Sequence, residues 1–149
     1  MKKLLTLFLA TLMVIMAVPA GAVSSTEVYR ETEIIHTEDG DIEVETILTI
    51  HDSLFRANAR TASKTKTYTA SGNTIAEVTL TATFRYDGST VSVTNTDSSY
   101  STYDGWSYKN ESISTSGGTA TLTAKLTKLL HTNVSVSVSM TCTPSGAIS

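Results

Sequence analysis

The residues best suited to chemistry lie in one aromatic-rich stretch. Tyr100, Tyr103, Trp106 and Tyr108 fall within nine positions, interleaved with Asp104 and Asn110. An exposed Trp or Tyr face stacks on the C–H face of a sugar ring, while Asp and Asn side chains take its hydroxyls. These six residues are therefore the candidate ligand site. The competing reading puts the single Trp in the core, where large aromatics commonly go, and for Trp106 that reading is the stronger one.

Other reactive types are weaker signals. Ser is too abundant to mark a nucleophile, and none sits in a Gly-x-Ser-x-Gly elbow. His36, His51 and His131 show no spacing that gathers ligands for zinc, so no catalytic residue, metal or cofactor is expected. Glu38-Asp39-Gly40-Asp41 resembles a cation loop only in its acidity, since it lacks the spaced acids of an EF-hand. A solvated turn is the better reading. Cys142, the only cysteine, closes an alternating strand pattern and is read as a small apolar residue rather than half of a bridge.

These residues must be positioned by strands. Ser and Thr supply about three residues in ten, and Thr favours strands because it is β-branched. Apolar residues recur at every second position: Ala76, Val78, Leu80, Ala82, Phe84 and Tyr86 on one face, with Glu77, Thr79, Thr81, Thr83 and Arg85 on the other. The same period two appears in Ala120, Leu122, Ala124 and Leu126, and again in Val134, Val136, Val138, Met140 and Cys142. A helix would repeat every 3.6 residues. Turn signals punctuate the pattern at Ser71-Gly72-Asn73, Asp87-Gly88 and Gly117-Gly118. The expectation is an all-β, antiparallel sandwich of seven to nine strands, with a small closed barrel as the alternative.

Charge divides the chain. From Glu27 to Asp52 there are nine acids and one base, Arg30; from Ser53 onward there are eight bases and five acids. The first segment alternates and turns near Asp39-Gly40, predicting an acidic hairpin in which Ile35 faces Val44, Tyr29 faces Ile50 and His36 faces Glu43. It is read either as an integral strand pair or as an arm docked by opposite charge, followed by a connector over Ser53–Ser63 with at most one helical turn. Asp97–Ser116 reads as less regular. The boundaries that follow are 1–22 for a leader, 23–60 for hairpin and connector, and 61–149 for the sandwich, with the hairpin a candidate member of that sandwich.

Met1-Lys2-Lys3, the apolar run from Leu4 to Val18 and Pro19-Ala20-Gly21-Ala22 have the form of a secretory signal cleaved after Ala22, with Ala20 as the alternative. The run is shorter than the ~20 residues a spanning helix needs, so no stable membrane insertion is expected once the leader is removed. The net charge of −3, with two of the bases in the leader, offers no basic cluster for phosphate backbones and excludes nucleic acid as a partner. A cell-surface glycan or protein is the expected partner.

Thr81-Ala82-Thr83-Phe84-Arg85-Tyr86-Asp87-Gly88, Gly105-Trp106-Ser107-Tyr108-Lys109 and Ser116-Gly117-Gly118-Thr119-Ala120 resemble segments of small secreted β-sandwich proteins of Gram-positive bacteria. The resemblance runs from Ala62 to Ser149. It implies an exported immunoglobulin-like domain with no assigned activity, so no functional residue is carried over. The chain lacks the Cys…Trp…Cys framework of true immunoglobulin domains. The first reading of function is extracellular binding or structural association without catalysis. The alternatives are a carbohydrate-binding module using the aromatic stretch and, behind it, a small extracellular enzyme or inhibitor. Mass spectrometry of the exported protein should show a mature N-terminus at Val23; an intact Met1 in the culture medium would refute the leader.

Overall fold

The computed structural model describes residues 26–52 and 58–149. The proposed leader and the first part of the connector lie outside these residues. Eight strands follow in order: β1 (Thr26–Thr37), β2 (Gly40–Asp52), β3 (Ala59–Ala70), β4 (Asn73–Tyr86), β5 (Val91–Thr102), β6 (Ser107–Ser116), β7 (Thr119–Thr127) and β8 (Val134–Thr141). They form two antiparallel sheets, a five-stranded one ordered β1-β2-β3-β4-β5 and a three-stranded one ordered β6-β7-β8. Among the described residues no helix is long and apolar enough to cross a membrane.

The period-two pattern becomes the core. Val78, Leu80, Ala82, Phe84, Leu122, Leu126, Val138 and Met140 have no exposed surface, and alternation places them between the sheets. Cys142 is a free, buried thiol whose pKa is raised by that burial. The outer faces carry hydroxyls that pair across strands: Thr61 with Thr83 at 3.0 Å, Ser63 with Thr81 at 2.9 Å and Thr65 with Thr79 at 2.8 Å. Such cross-strand pairs are the sheet counterpart of helix i,i+4 contacts.

Four expectations need correction. Every strand pairs with its sequence neighbour, so the meander lacks the Greek-key crossovers of an immunoglobulin domain. The acidic hairpin turns one residue earlier than its Asp-Gly signal suggests, which shifts the pairing by two: Glu38 and Asp39 form the turn, and Ile35 pairs Ile42, Tyr29 pairs Leu48 and His36 pairs Asp41. Gly40 follows the turn at φ +122°, a conformation open mainly to glycine. An even shift keeps every side chain on its expected face. The hairpin belongs to the larger sheet, in which β2 pairs with β3 from Ile42↔Ala70 to Asp52↔Arg60.

The connector and the irregular stretch are also largely strand. Residues 59–63 belong to β3, and Asp97–Ser116 supplies the second half of β5 and all of β6. Their core-side positions carry Lys64, Lys66, Thr96, Ser98 and Thr102 in register with apolar partners on neighbouring strands, and this polarity hides the alternation.

At one end the sheets are tied together by the main chain. Val93 N–H donates to Gly117 O at 3.2 Å and Gly88 N–H to Pro144 O at 2.9 Å, while Cys142 N–H donates to Gly118 O at 2.8 Å within the smaller sheet. Gly118 has no room for a side chain, since a Cβ there would collide with the Cys142 carbonyl and the Val91 methyls. Gly118→Ala should therefore destabilise by about 1–3 kcal/mol. Leu122→Ala should cost about 2–5 kcal/mol by opening a cavity. Urea denaturation checks both, and an unchanged midpoint for either would contradict the packing described.

Candidate functional site

Consecutive antiparallel strands bring the β1–β2, β3–β4, β5–β6 and β7–β8 connections to the end opposite the main-chain ties. They enclose a cleft of about 220 Å³. Its principal side chains are Asp39, Asn73, Asp104, Trp106, Lys128 and His131.

Local sequence explains each contribution. Asp104 and Gly105 both have positive φ, +53° and +77°, and the Trp106 N–H closes on Tyr103 O at 3.0 Å. This is a type I′ turn, whose twist suits antiparallel strands and whose positive φ values favour Asp-Gly. It leaves Asp104 at the tip and turns Trp106 inward, 9% exposed. In the β7–β8 loop the His131 N–H bonds Lys128 O at 3.2 Å, and Leu130 takes φ +62°. The His131 ring then lies 5.8 Å from Trp106, and the Lys128 ammonium 6.0 Å from the indole centroid, within cation–π range.

Asp39 holds two of these loops together. Its carboxylate accepts the Thr132 N–H at 2.5 Å and lies 4.0 Å from His131 Nδ1. Hydrogen bonding to Thr132 lowers its pKa below the usual 3.8, because a bonded carboxylate is stabilised in its ionised form. Asp41 is engaged elsewhere, 2.6 Å from His36 Nδ1. Asp39 and Asp41 thus serve different partners. Among the described residues no three His, Cys, Asp or Glu side chains gather to hold a metal ion.

The six residues of the aromatic stretch do not form one site. Asp104 and Trp106 line the cleft. Tyr103 stands beside it, 44% exposed, with its hydroxyl donating to Glu77 at 3.2 Å, over a shallow depression that shares Asp104 and Asn73 with the cleft. Tyr100 and Tyr108 stack on each other at 4.1 Å, where β5 meets β6. The Tyr108 hydroxyl donates to Glu111 at 2.7 Å, and Ser98 donates to the same carboxylate at 2.9 Å. Burial, then Glu111, raises the Tyr108 pKa. Asn110 occupies a bulge in β6 at φ +57°, a backbone role Asn tolerates.

Asn73, Lys128 and Asp39 were not readable as site residues. Their types carry no motif, and the only clue is hairpin parity, which sends alternate turns to one end. No known protein family, curated protein or solved structure matches this chain.

Asp39 has a folded-state pKa below its unfolded value, so its loop contact is present above the ordinary carboxylate range and is lost as pH falls through the lowered pKa. The Thr132 amide resonance should titrate with a midpoint below 3.8. In Asp39→Asn that titration should vanish. A midpoint at or above the ordinary value would show that Asp39 does not hold the loop.

Proposed function

We propose that this protein is exported and acts without catalysis, by binding a polyhydroxylated ring, a glycan unit of a cell surface, in the cleft at the loop end of its two sheets. The convergence of four separate loops on Trp106 carries this reading. A cleft of about 220 Å³ lies below the roughly 300–1,000 Å³ of pockets for drug-sized ligands and suits a single ring.

The lining supports a sugar over an apolar ligand. Asp104 and Asn73 offer acceptors and donors to hydroxyls, and Lys128 and His131 add donors beside the indole. Trp106 is only 9% exposed, so orientation falls to the polar groups rather than to full-face stacking. The supporting loops are short and held by main-chain bonds, which limits the ordering cost of binding.

Retention on a panel of immobilised cell-wall and host polysaccharides tests the proposal. At least one polysaccharide should retain the protein, and the same sugar in solution should shift Trp106 fluorescence. Asp104→Ala and His131→Ala should each weaken binding about tenfold, or about 1.4 kcal/mol. Retention by none of the panel, or retention indifferent to both substitutions, would overturn it.

A further inference from the structure

With a single cysteine, held as a free buried thiol, the two sheets have no disulfide between them. The chain passes from the larger sheet to the smaller once, between β5 and β6. Beside that passage Tyr100 and Tyr108 stack with ring centroids 4.1 Å apart and planes within 20° of parallel. Tyr100 precedes, and Tyr108 follows, the Tyr103–Trp106 turn that brings Asp104 and Trp106 to the cleft. The pair therefore spans the base of that turn, one ring from each sheet.

Register explains why the rings meet. Tyr100 pairs Val78 and Tyr108 pairs Leu126. Both partners are fully buried, so both tyrosines lie on the inward faces of their sheets. β5 and β6 are border strands, and their inward faces come together at the margin of the sandwich rather than in its core. Tyr100 is accordingly 55% exposed and Tyr108 half-buried. An oxidant in solution reaches the pair at Tyr100.

Phenol rings in contact can couple oxidatively, provided their protons have somewhere to go. Burial and then Glu111 keep Tyr108 protonated by raising its pKa, and removing an electron from a phenol that keeps its proton leaves a high-energy radical cation. Glu111 supplies the acceptor. One carboxylate oxygen takes the Tyr108 O–H at 2.7 Å, and the other is held by Ser98 at 2.9 Å. The other tyrosines lack one requirement or another. Tyr29 donates to Glu27 at 3.0 Å and Tyr103 to Glu77 at 3.2 Å, but among the described residues no second pair of tyrosines stacks. Tyr68 is 1% exposed, beyond the reach of an oxidant. Only Tyr100 and Tyr108 combine ring contact, solvent access and a proton acceptor.

We propose that Tyr100 and Tyr108 form an oxidative cross-linking site, at which a haem peroxidase using hydrogen peroxide joins the two rings by a carbon–carbon bond. One-electron oxidation of Tyr108 sends its electron to the peroxidase and its phenolic proton to Glu111. A second one-electron oxidation, of Tyr100, releases its proton to water. Each radical carries unpaired density at the Cε carbons, ortho to the oxygen, and a Cε–Cε bond forms between the rings. The hydrogens on those two carbons then leave as protons while the oxygens are reprotonated, which restores both phenols. Hydrogen peroxide takes up the two electrons and two protons and departs as two waters. The bond closes a covalent ring around the turn that carries Asp104 and Trp106 and ties the two sheets at their one passage.

The test treats the purified protein, dilute enough to disfavour contact between molecules, with a haem peroxidase and hydrogen peroxide at neutral pH. The product should remain a monomer and acquire dityrosine fluorescence. Trypsin cuts after Arg85 and Lys109, so the peptide Tyr86–Lys109 holds both rings. By mass spectrometry that peptide should weigh two hydrogens less and resist fragmentation between Tyr100 and Tyr108. Tyr100→Phe and Tyr108→Phe, which keep the stacked rings and remove one phenol, should each abolish the link with an unchanged circular dichroism spectrum. Glu111→Gln keeps a side chain of the same shape without the proton acceptor and should slow link formation about tenfold or more. Tyr29→Phe should leave the link intact. A peptide of unchanged mass, a link placed on other tyrosines, or a yield and rate indifferent to the Phe and Gln variants would overturn the proposal.

Discussion

A five-stranded sheet packed against a three-stranded one cannot bury all of its inner face, and this inequality governs much of the molecule. The apolar alternation of β4, β7 and β8 meets a facing layer and disappears into the core. β1 has none, and its residues are exposed from Thr26 through Ile34. Between these limits the protein uses lysines. Lys64 and Lys66 occupy core-side positions of β3 beside Leu48, Leu80 and Val78, cover apolar surface with their stems and deliver their ammonium groups to the margin. Desolvation lowers the Lys64 pKa there, partly opposed by Glu31.

The two ends of the sandwich divide their labour. One is sealed by main-chain bonds between turns and the C-terminal segment, with Gly146 set against the Tyr86 ring and its carbonyl bonded by Arg60 at 3.0 Å. The other is held by a side chain, Asp39 on Thr132, and keeps an opening beside Trp106. A rigid end and an open end are what a scaffold needs to present loops, and loops on rigid scaffolds are where binding residues concentrate.

Much of the architecture was legible because strict period-two apolarity suits a strand buried on one face and fits a helix poorly. The inward sets of β4, β7 and β8 are all buried apart from Tyr86, which is partly so, and Ile75 of β4 is buried besides. Strands whose inner positions are not apolar were harder to see, such as β3 with its lysines and the second half of β5 with Thr96, Ser98 and Thr102. Leu129 and Leu130 show the converse, being apolar by type yet 86% and 91% exposed in a turn. The aromatic stretch misled in a third way. Proximity in sequence suggested one platform, but strand alternation and a tight turn sent Tyr100 with Tyr108, Tyr103, and Trp106 to three different places.

The sequence by itself determined the all-β class, the identity of most core-facing side chains and most of the turns, because these depend on contacts between residues near one another in the chain. The tertiary structure alone decided which turns share an end, that Asp39 meets Thr132 across 93 positions, and that the smaller sheet stops at β8. Those outcomes depend on how two finished sheets stack and where their edges fall. No local pattern encodes that, since the same alternation serves a strand at the centre of a sheet and one left at its border.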